Sequence, residues 1–311
     1  QSGKTTLTRM LFSDYFYANL EDPQDREYAT ADPRGFLDQG RKMKSSRGMI
    51  IDEFQRVPDL LSYIQVTVDE TNEPGQYILT GSQNYLMMES ITQSLAGRIS
   101  LFTLLPLSLR ELYTTPADIP DFPAAAFKGF FPRLHMENLD STRFYRNYLS
   151  TFVERDVRQM KNISDLQAFQ NCVRLCAGRV GQVVNYSSLG DDVGVSHNTV
   201  RSWISILQAG SIIHLLRPYH RNFNKQVIKS PKLYFCDTGL LCSLLNIHDF
   251  RQIETHFLKG GIMENIDISQ LFKQQYHDAR PDNLFFWRDK HGHEVDLIVD
   301  EGQYHTAIEI K

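Results

Sequence analysis

The sequence predicts an α/β fold: a parallel sheet with helices on both faces, then a mostly helical middle and a small α/β end. Three observations carry that prediction. Short apolar runs alternate with helical spacing from Gly3 to about Leu112. The chain opens on Gly3-Lys4-Thr5, and the apolar run Met49-Ile50-Ile51 ends in Asp52-Glu53.

Taken in order, the opening Gln1-Ser2-Gly3-Lys4-Thr5-Thr6 fits the second half of a G-x-x-x-x-G-K-[ST] phosphate loop. The loop's first glycine and the strand feeding it are expected upstream of Gln1. The run Ile308-Glu309-Ile310-Lys311 reads as an unfinished strand, so both ends look cut. Compact apolar runs predict strands at 15–18, 49–51, 76–79 and 99–102, and helical spacing covers 59–70 and 85–95. Pro106, Pro116, Pro120 and Pro123 then mark a loop-rich connector that reaches Pro132.

From Thr142 to about Leu245 the pattern is helical. Residues 187–193, the turn Gly194-Val195-Ser196 and residues 198–207 read as a helix-turn-helix with Ser196 as N-cap. A strand at 211–216 and a basic loop after it predict a winged form. The last stretch reads as a helix around Glu264, then strands at 284–287, 294–299 and 304–310. The expected domains are therefore 1–115, a connector or lid at 116–163, the winged helix at 164–245 and the α/β end at 246–311.

Composition bounds the function. The 311 residues suit about two domains, and 41% hydrophobic with 23% charged residues suits a packed core. A net charge of −4 excludes a uniformly basic nucleic-acid coat while leaving room for a local basic patch. No apolar run is long enough for a membrane helix. Four cysteines in a chain this long predict small core hydrophobes and a reducing, cytoplasmic setting.

Gly3-Lys4-Thr5 and Asp52-Glu53 together make the two halves of an ATP site. Ser2, Gly3, Lys4, Thr5 and Thr6 would cradle phosphate at a helix N-terminus, with Lys4 neutralising β/γ charge. Thr5 and Asp52 would hold Mg²⁺, and Glu53 would orient the attacking water. Ser82, after Leu79-Thr80-Gly81, is a candidate polar sensor of the γ-phosphate or water, with a turn residue as the plainer reading. Arg98 is a candidate to face phosphate in its own or a neighbouring subunit, with a surface ion pair as the plainer reading.

The order of these pieces resembles bacterial and archaeal AAA-type ATPases that carry a large C-terminal domain of unknown function. The matching segments are Gln1 to Thr6, Asn19-Leu20-Glu21-Asp22-Pro23, Ile51-Asp52-Glu53-Phe54-Gln55, Leu79-Thr80-Gly81-Ser82, Leu95-Ala96-Gly97-Arg98, Leu105-Pro106-Leu107-Ser108, 148–157 and 231–240. The resemblance implies a P-loop AAA-type core using ATP and Mg²⁺, with Lys4, Thr5, Asp52, Glu53, Ser82 and Arg98 in the roles given above. One piece departs from the family: its Gly-Gly-aromatic-Pro reads Gly129-Phe130-Phe131-Pro132 here.

Downstream, Asn198, Arg201 and Ser202 fall on the early turns of the second helix, where base contacts would lie. Arg217, Arg221, Lys225, Lys229 and Lys232 follow without an acid between them, a run suited to DNA phosphates; a lid or protein contact is the competing reading. Asp296, Glu309 and Lys311 alternate on adjacent strands and could hold Mg²⁺ for phosphodiester attack. This set looks like a restriction-endonuclease-like core, which implies Glu264 as a fourth member. The function expected is Mg-dependent ATP hydrolysis coupled to DNA. The alternatives are a slow nucleotide switch whose C-terminal half binds a protein partner, and a metal-dependent nuclease with a regulatory ATPase; a homo-oligomer is a further candidate partner.

Overall fold

The computed structural model describes residues 2–42, 47–71, 73–81, 95–113, 115, 118–157, 163, 165–219, 229–280, 282–289 and 291–310. Residues 3–104 form one compact unit and residues 105–311 the body of another.

The first unit runs α1 (Lys4–Leu11), β1 (Phe16–Asn19), α2 (Pro23–Ala31), α3 (Pro33–Lys42), β2 (Met49–Asp52), α4 (Leu60–Thr71) and β3 (Tyr77–Leu79). The strands pair in parallel in the order β1-β2-β3, with Asn19 opposite Asp52 and Ile51 opposite Leu79. Every residue of β2 is buried, as a parallel strand covered on both faces requires. The crossover into α2 stops cleanly because Asp22 accepts the Gln24 N–H at 2.8 Å and Pro23 supplies a preset φ at the first turn. Leu20, Phe36, Leu37, Ile51, Phe54, Leu61 and Ile64 fill the core.

The strand expected at 99–102 does not form. Its backbone pairs with no strand, and Leu101 and Phe102 are exposed, so apolar content alone did not make it a sheet member. The helix expected at 85–95 lies outside the described residues except for Leu95.

The second unit begins with α5 (Leu109–Leu112), α6 (Phe122–Lys128), α7 (Pro132–Met136) and α8 (Ser141–Thr151), which runs on as a π turn over Phe152–Val157. Then come α9 (Leu166–Ala177), α10 (Tyr186–Val193), α11 (His197–Ala209), β4 (Ile213–Pro218) and β5 (Lys232–Phe235). The chain continues through α12 (Thr238–Leu244), α13 (Arg251–Thr255), α14 (Lys259–His277), β6 (Leu284–Arg288), β7 (Glu294–Asp300) and β8 (His305–Ile308). One core runs from Ala126 and Phe130 through these helices to Phe286 and Leu297.

The helix-turn-helix forms where its local signals put it. Ser196 Oγ accepts the Thr199 N–H at 3.1 Å, and the turn passes through Gly194. The strands after it are not a separate wing. β4 pairs antiparallel with β5 on one side and parallel with β6 on the other, giving a single sheet in the order β5-β4-β6-β7-β8. That sheet crosses the boundary expected at 245/246. The four cysteines are free and buried. Among the described residues no helix is long and apolar enough to cross a membrane.

Candidate functional site

Parallel pairing brings the C-terminal ends of β1, β2 and β3 to one edge of the first sheet, where α/β folds bind ligands. Asp52 closes β2 there and is buried. Its Oδ2 accepts from Thr5 Oγ1 at 2.8 Å and from Tyr17 Oη at 2.9 Å. Its Oδ1 accepts from Thr80 Oγ1 and from the Glu53 N–H at 3.2 Å. Four donors offset the cost of burying the carboxylate. Burial first, and the bond to Asp52 second, push the Tyr17 phenol up to about 12, so at neutral pH it stays a donor.

Gly3 caps α1 at φ 91°, a left-handed conformation that favours glycine, and contributes no side chain to the helix's first N–H groups. Lys4 and Thr5 follow on the first turn, with Ser2 half-exposed before them and Thr6 exposed after. The Thr5–Asp52 separation matches the roughly 3 Å edge between neighbouring oxygens around a Mg²⁺ ion bound at about 2.1 Å. These two residues therefore fit the metal that an ATP site needs.

Glu53 also has a left-handed backbone, φ 54°, uncommon for a side chain with a Cβ. Gln55 Nε2 donates to its Oε2 at 2.5 Å. Arg98 is exposed and bonded to Asp69 on α4 and to the Ala96 carbonyl at 3.2 Å. Ser82 lies outside the described residues. Tyr17 and Thr80 are the site residues that sequence reasoning passed over. Thr80 stood in the run that raised Ser82, and the strand-end position next to β2 was its signal.

In the second unit Asn198 and Arg201 are exposed on α11, and the Arg201 guanidinium lies 5.3 Å from the Tyr186 ring centroid. Lys229 is exposed; Arg221 and Lys225 lie outside the described residues. Two of the five expected phosphate-facing cations have carboxylate partners in the protein. Arg217 pairs with Asp282 at 2.9 Å, and Lys232 is buried at 2% exposure inside β5. Lys232 is corrected accordingly: it faces carboxylates in the protein and cannot meet DNA from the surface.

Those carboxylates include two of the four late candidates. Lys232 Nζ lies 3.0 Å from Glu264 Oε1, contacts Glu294 Oε1 and lies 3.8 Å from Asp296 Oδ1. Tyr234 Oη donates to Glu264 Oε1 at 2.5 Å, and the Ile310 N–H donates to Asp296 Oδ2 at 3.0 Å. Burial would lower the Lys232 pKa, but attraction to Glu264 and bonds to Glu294 and Glu264 leave it raised, so the amine stays charged. β8 stops at Ile308, and Glu309 beyond it is exposed; Lys311 lies outside the described residues. Among the described residues no three His, Cys, Asp or Glu side chains are arranged to hold a metal ion. Tyr234 and Glu294 were missed. The signal was Lys232 and Tyr234 two apart in an otherwise apolar strand, hence on one face.

Comparison with known proteins gives three matched segments along the chain. Residues 1–113 match the AAA domain family, residues 119–251 a domain of unknown function (DUF8612), and residues 259–311 another domain of unknown function (DUF4143). Uncharacterized proteins of Mycobacterium tuberculosis and Mycobacterium bovis are each 30% identical over 314 residues, covering 100% of this chain and 68% of their own length. An uncharacterized protein of Haemophilus influenzae is 23% identical over 246 residues, covering 74% of this chain and 58% of its own. No solved structure matches the chain.

Proposed function

This chain belongs to the same family as the mycobacterial proteins, with an AAA domain at its N-terminal end, and from that premise we propose that it hydrolyses ATP with Mg²⁺. The observation that carries the reading is the Thr5–Asp52 contact, which joins the phosphate-loop helix to the end of the central strand. Lys4 and the first N–H groups of α1 would bind the phosphates. Thr5 and Asp52 would hold Mg²⁺, which when bound neutralises charge on the β- and γ-phosphates. Glu53 would orient the water, and Tyr17 and Thr80 hold the Asp52 carboxylate in register for its task. Ser82 remains the proposed polar sensor. Arg98 would exchange Asp69 for phosphate, in its own or a neighbouring subunit.

The test is phosphate release by the purified chain. Glu53→Gln should retain ATP binding and lose turnover by about 10²-fold or more. Turnover at the wild-type rate in Glu53→Gln would remove Glu53 as the base.

A second reading is favoured by the exposed Asn198 and Arg201 on α11: coupling of the ATPase to DNA through the helix-turn-helix. Fluorescence anisotropy on a labelled duplex checks it. Arg201→Ala should weaken binding, and Lys229→Ala should reduce the salt slope by about one unit. An unaltered slope with an unaltered affinity favours the alternative, a slow nucleotide switch whose C-terminal half binds a protein partner. The four free buried cysteines accord with a reducing, cytoplasmic setting.

A further inference from the structure

The late carboxylates would suit a metal-dependent nuclease only if a cation were missing from them. Their geometry supplies one from the protein itself. The Lys232 ammonium lies at the meeting point of Glu264 on α14 and of Glu294 and Asp296 on β7. Each carboxylate has a further partner in the protein. Glu264 takes the Tyr234 hydroxyl, Asp296 takes the Ile310 N–H, and Glu294 Oε2 lies 3.4 Å from Arg288 Nε. Glu264 also closes against Gly181, where an added Cβ would lie 2.9 Å from Oε2. Lys232 and Arg288 thus set two positive charges against three carboxylates, and the Tyr234 hydroxyl and the Ile310 N–H add hydrogen bonds from the protein itself.

We infer that Lys232 is the resident cation of this cluster, so that Glu264, Glu294 and Asp296 tie β5, α14 and β7 together and do not bind a divalent metal or cut DNA. A fixed ammonium cannot polarise a water as a metal ion does, because its shell holds only its own three hydrogens. The cluster's work is to hold the sheet edge against α14.

Nucleotide-free protein titrated with Mn²⁺, with free metal read by electron paramagnetic resonance, tests this. Wild type and Asp296→Asn should bind the same amount of Mn²⁺, and the wild-type melting temperature should be the same in EDTA and in Mn²⁺. Lys232→Met leaves three partly buried carboxylates facing one another. It should melt roughly 6–12 °C lower in EDTA. Mn²⁺ should recover much of that loss, through a site about tenfold or more tighter than any in wild type. If Lys232→Met fails to fold, the wild type against Asp296→Asn comparison decides alone. The inference is overturned by a wild-type Mn²⁺ site that Asp296→Asn abolishes, by Mn²⁺-dependent nicking of supercoiled DNA that Asp296→Asn abolishes, or by a folded Lys232→Met that gains no metal.

Discussion

Glu53 and Gly129 both have positive φ, at 54° and 72°, and the two positions answer to different constraints. At Glu53 a residue with a Cβ accepts backbone strain of order 1–3 kcal/mol directly beside the Asp52 carboxylate, which marks it as a position kept for its side chain. At Gly129 no side chain is tolerated. An added Cβ would overlap the Tyr145 hydroxyl and lie 2.7 Å from Asp237 Oδ1. The surroundings cannot yield, because Asp237 is buried and already accepts the Phe130 N–H at 2.8 Å and the Leu240 N–H at 3.0 Å. Gly129→Ala should therefore cost about 3 kcal/mol or more in urea unfolding of the chain. A loss under about 1 kcal/mol would mean that Tyr145 and Asp237 shift to admit the added methyl. The departure from Gly-Gly-aromatic-Pro has a local reason too: Phe130 is buried in the core, with its ring centroid 4.0 Å from Lys273 Nζ.

α14 is the element that gathers the second unit. Its Asn265 side chain accepts the Phe235 N–H at 2.6 Å and donates to the Phe235 carbonyl at 3.1 Å, acting as an extra strand edge for β5. Gln270 Oε1 accepts the Leu109 N–H at 2.7 Å, and Lys273 Nζ donates to the Leu107 carbonyl at 2.8 Å. Burial pushes the Lys273 pKa down from 10.5 to about 8, against the pull of Asp237, Cys236 and Glu111. The unfolded chain therefore binds more protons than the folded one between about pH 8 and 10.5. This group's contribution to stability is present above that window and is lost as pH falls through about 8. Denaturant unfolding of wild type and Lys273→Met across pH 7.5–10.5 isolates the effect. Wild type should gain on the variant as pH rises, by on the order of 3 kcal/mol over the whole window. A difference independent of pH would mean that Lys273 does not titrate there.

At the scale of the whole molecule, Gly3, Lys4, Thr5, Tyr17, Asp52, Glu53 and Thr80 all belong to the unit 3–104, and the helix-turn-helix and the Lys232 cluster to the other. A non-hydrolysable ATP analogue with Mg²⁺ should therefore stabilise one unit directly, by about 2.7 kcal/mol at a hundred times its Kd. Differential scanning calorimetry should resolve a nucleotide-sensitive transition and one that nucleotide leaves unmoved. A single transition that nucleotide raises as a whole would show that the units melt as one.

The sequence by itself determined what is encoded within a few neighbouring residues. Gly3-Lys4-Thr5, the strand ending in Asp52-Glu53, and the helix-turn-helix with its Ser196 cap were legible because periodicity, capping and loop chemistry act over short stretches of chain. Tertiary structure alone decided what depends on partners far away in sequence. Parallel register set Tyr17 and Thr80 on Asp52, over separations of 35 and 28 residues. The β4–β6 pairing turned an expected wing into part of a five-stranded sheet, and the unpaired run at 99–102 stayed out of the first sheet. Lys232 is the sharpest case. Beside Arg217 and Lys229 in the sequence it reads as one more surface cation, and only packing against Glu264, Glu294 and Asp296 makes it a buried counter-ion. A strand's propensity is local, but its partner, its buried face and the charge opposite each residue are fixed by chain segments that sequence spacing does not bring together.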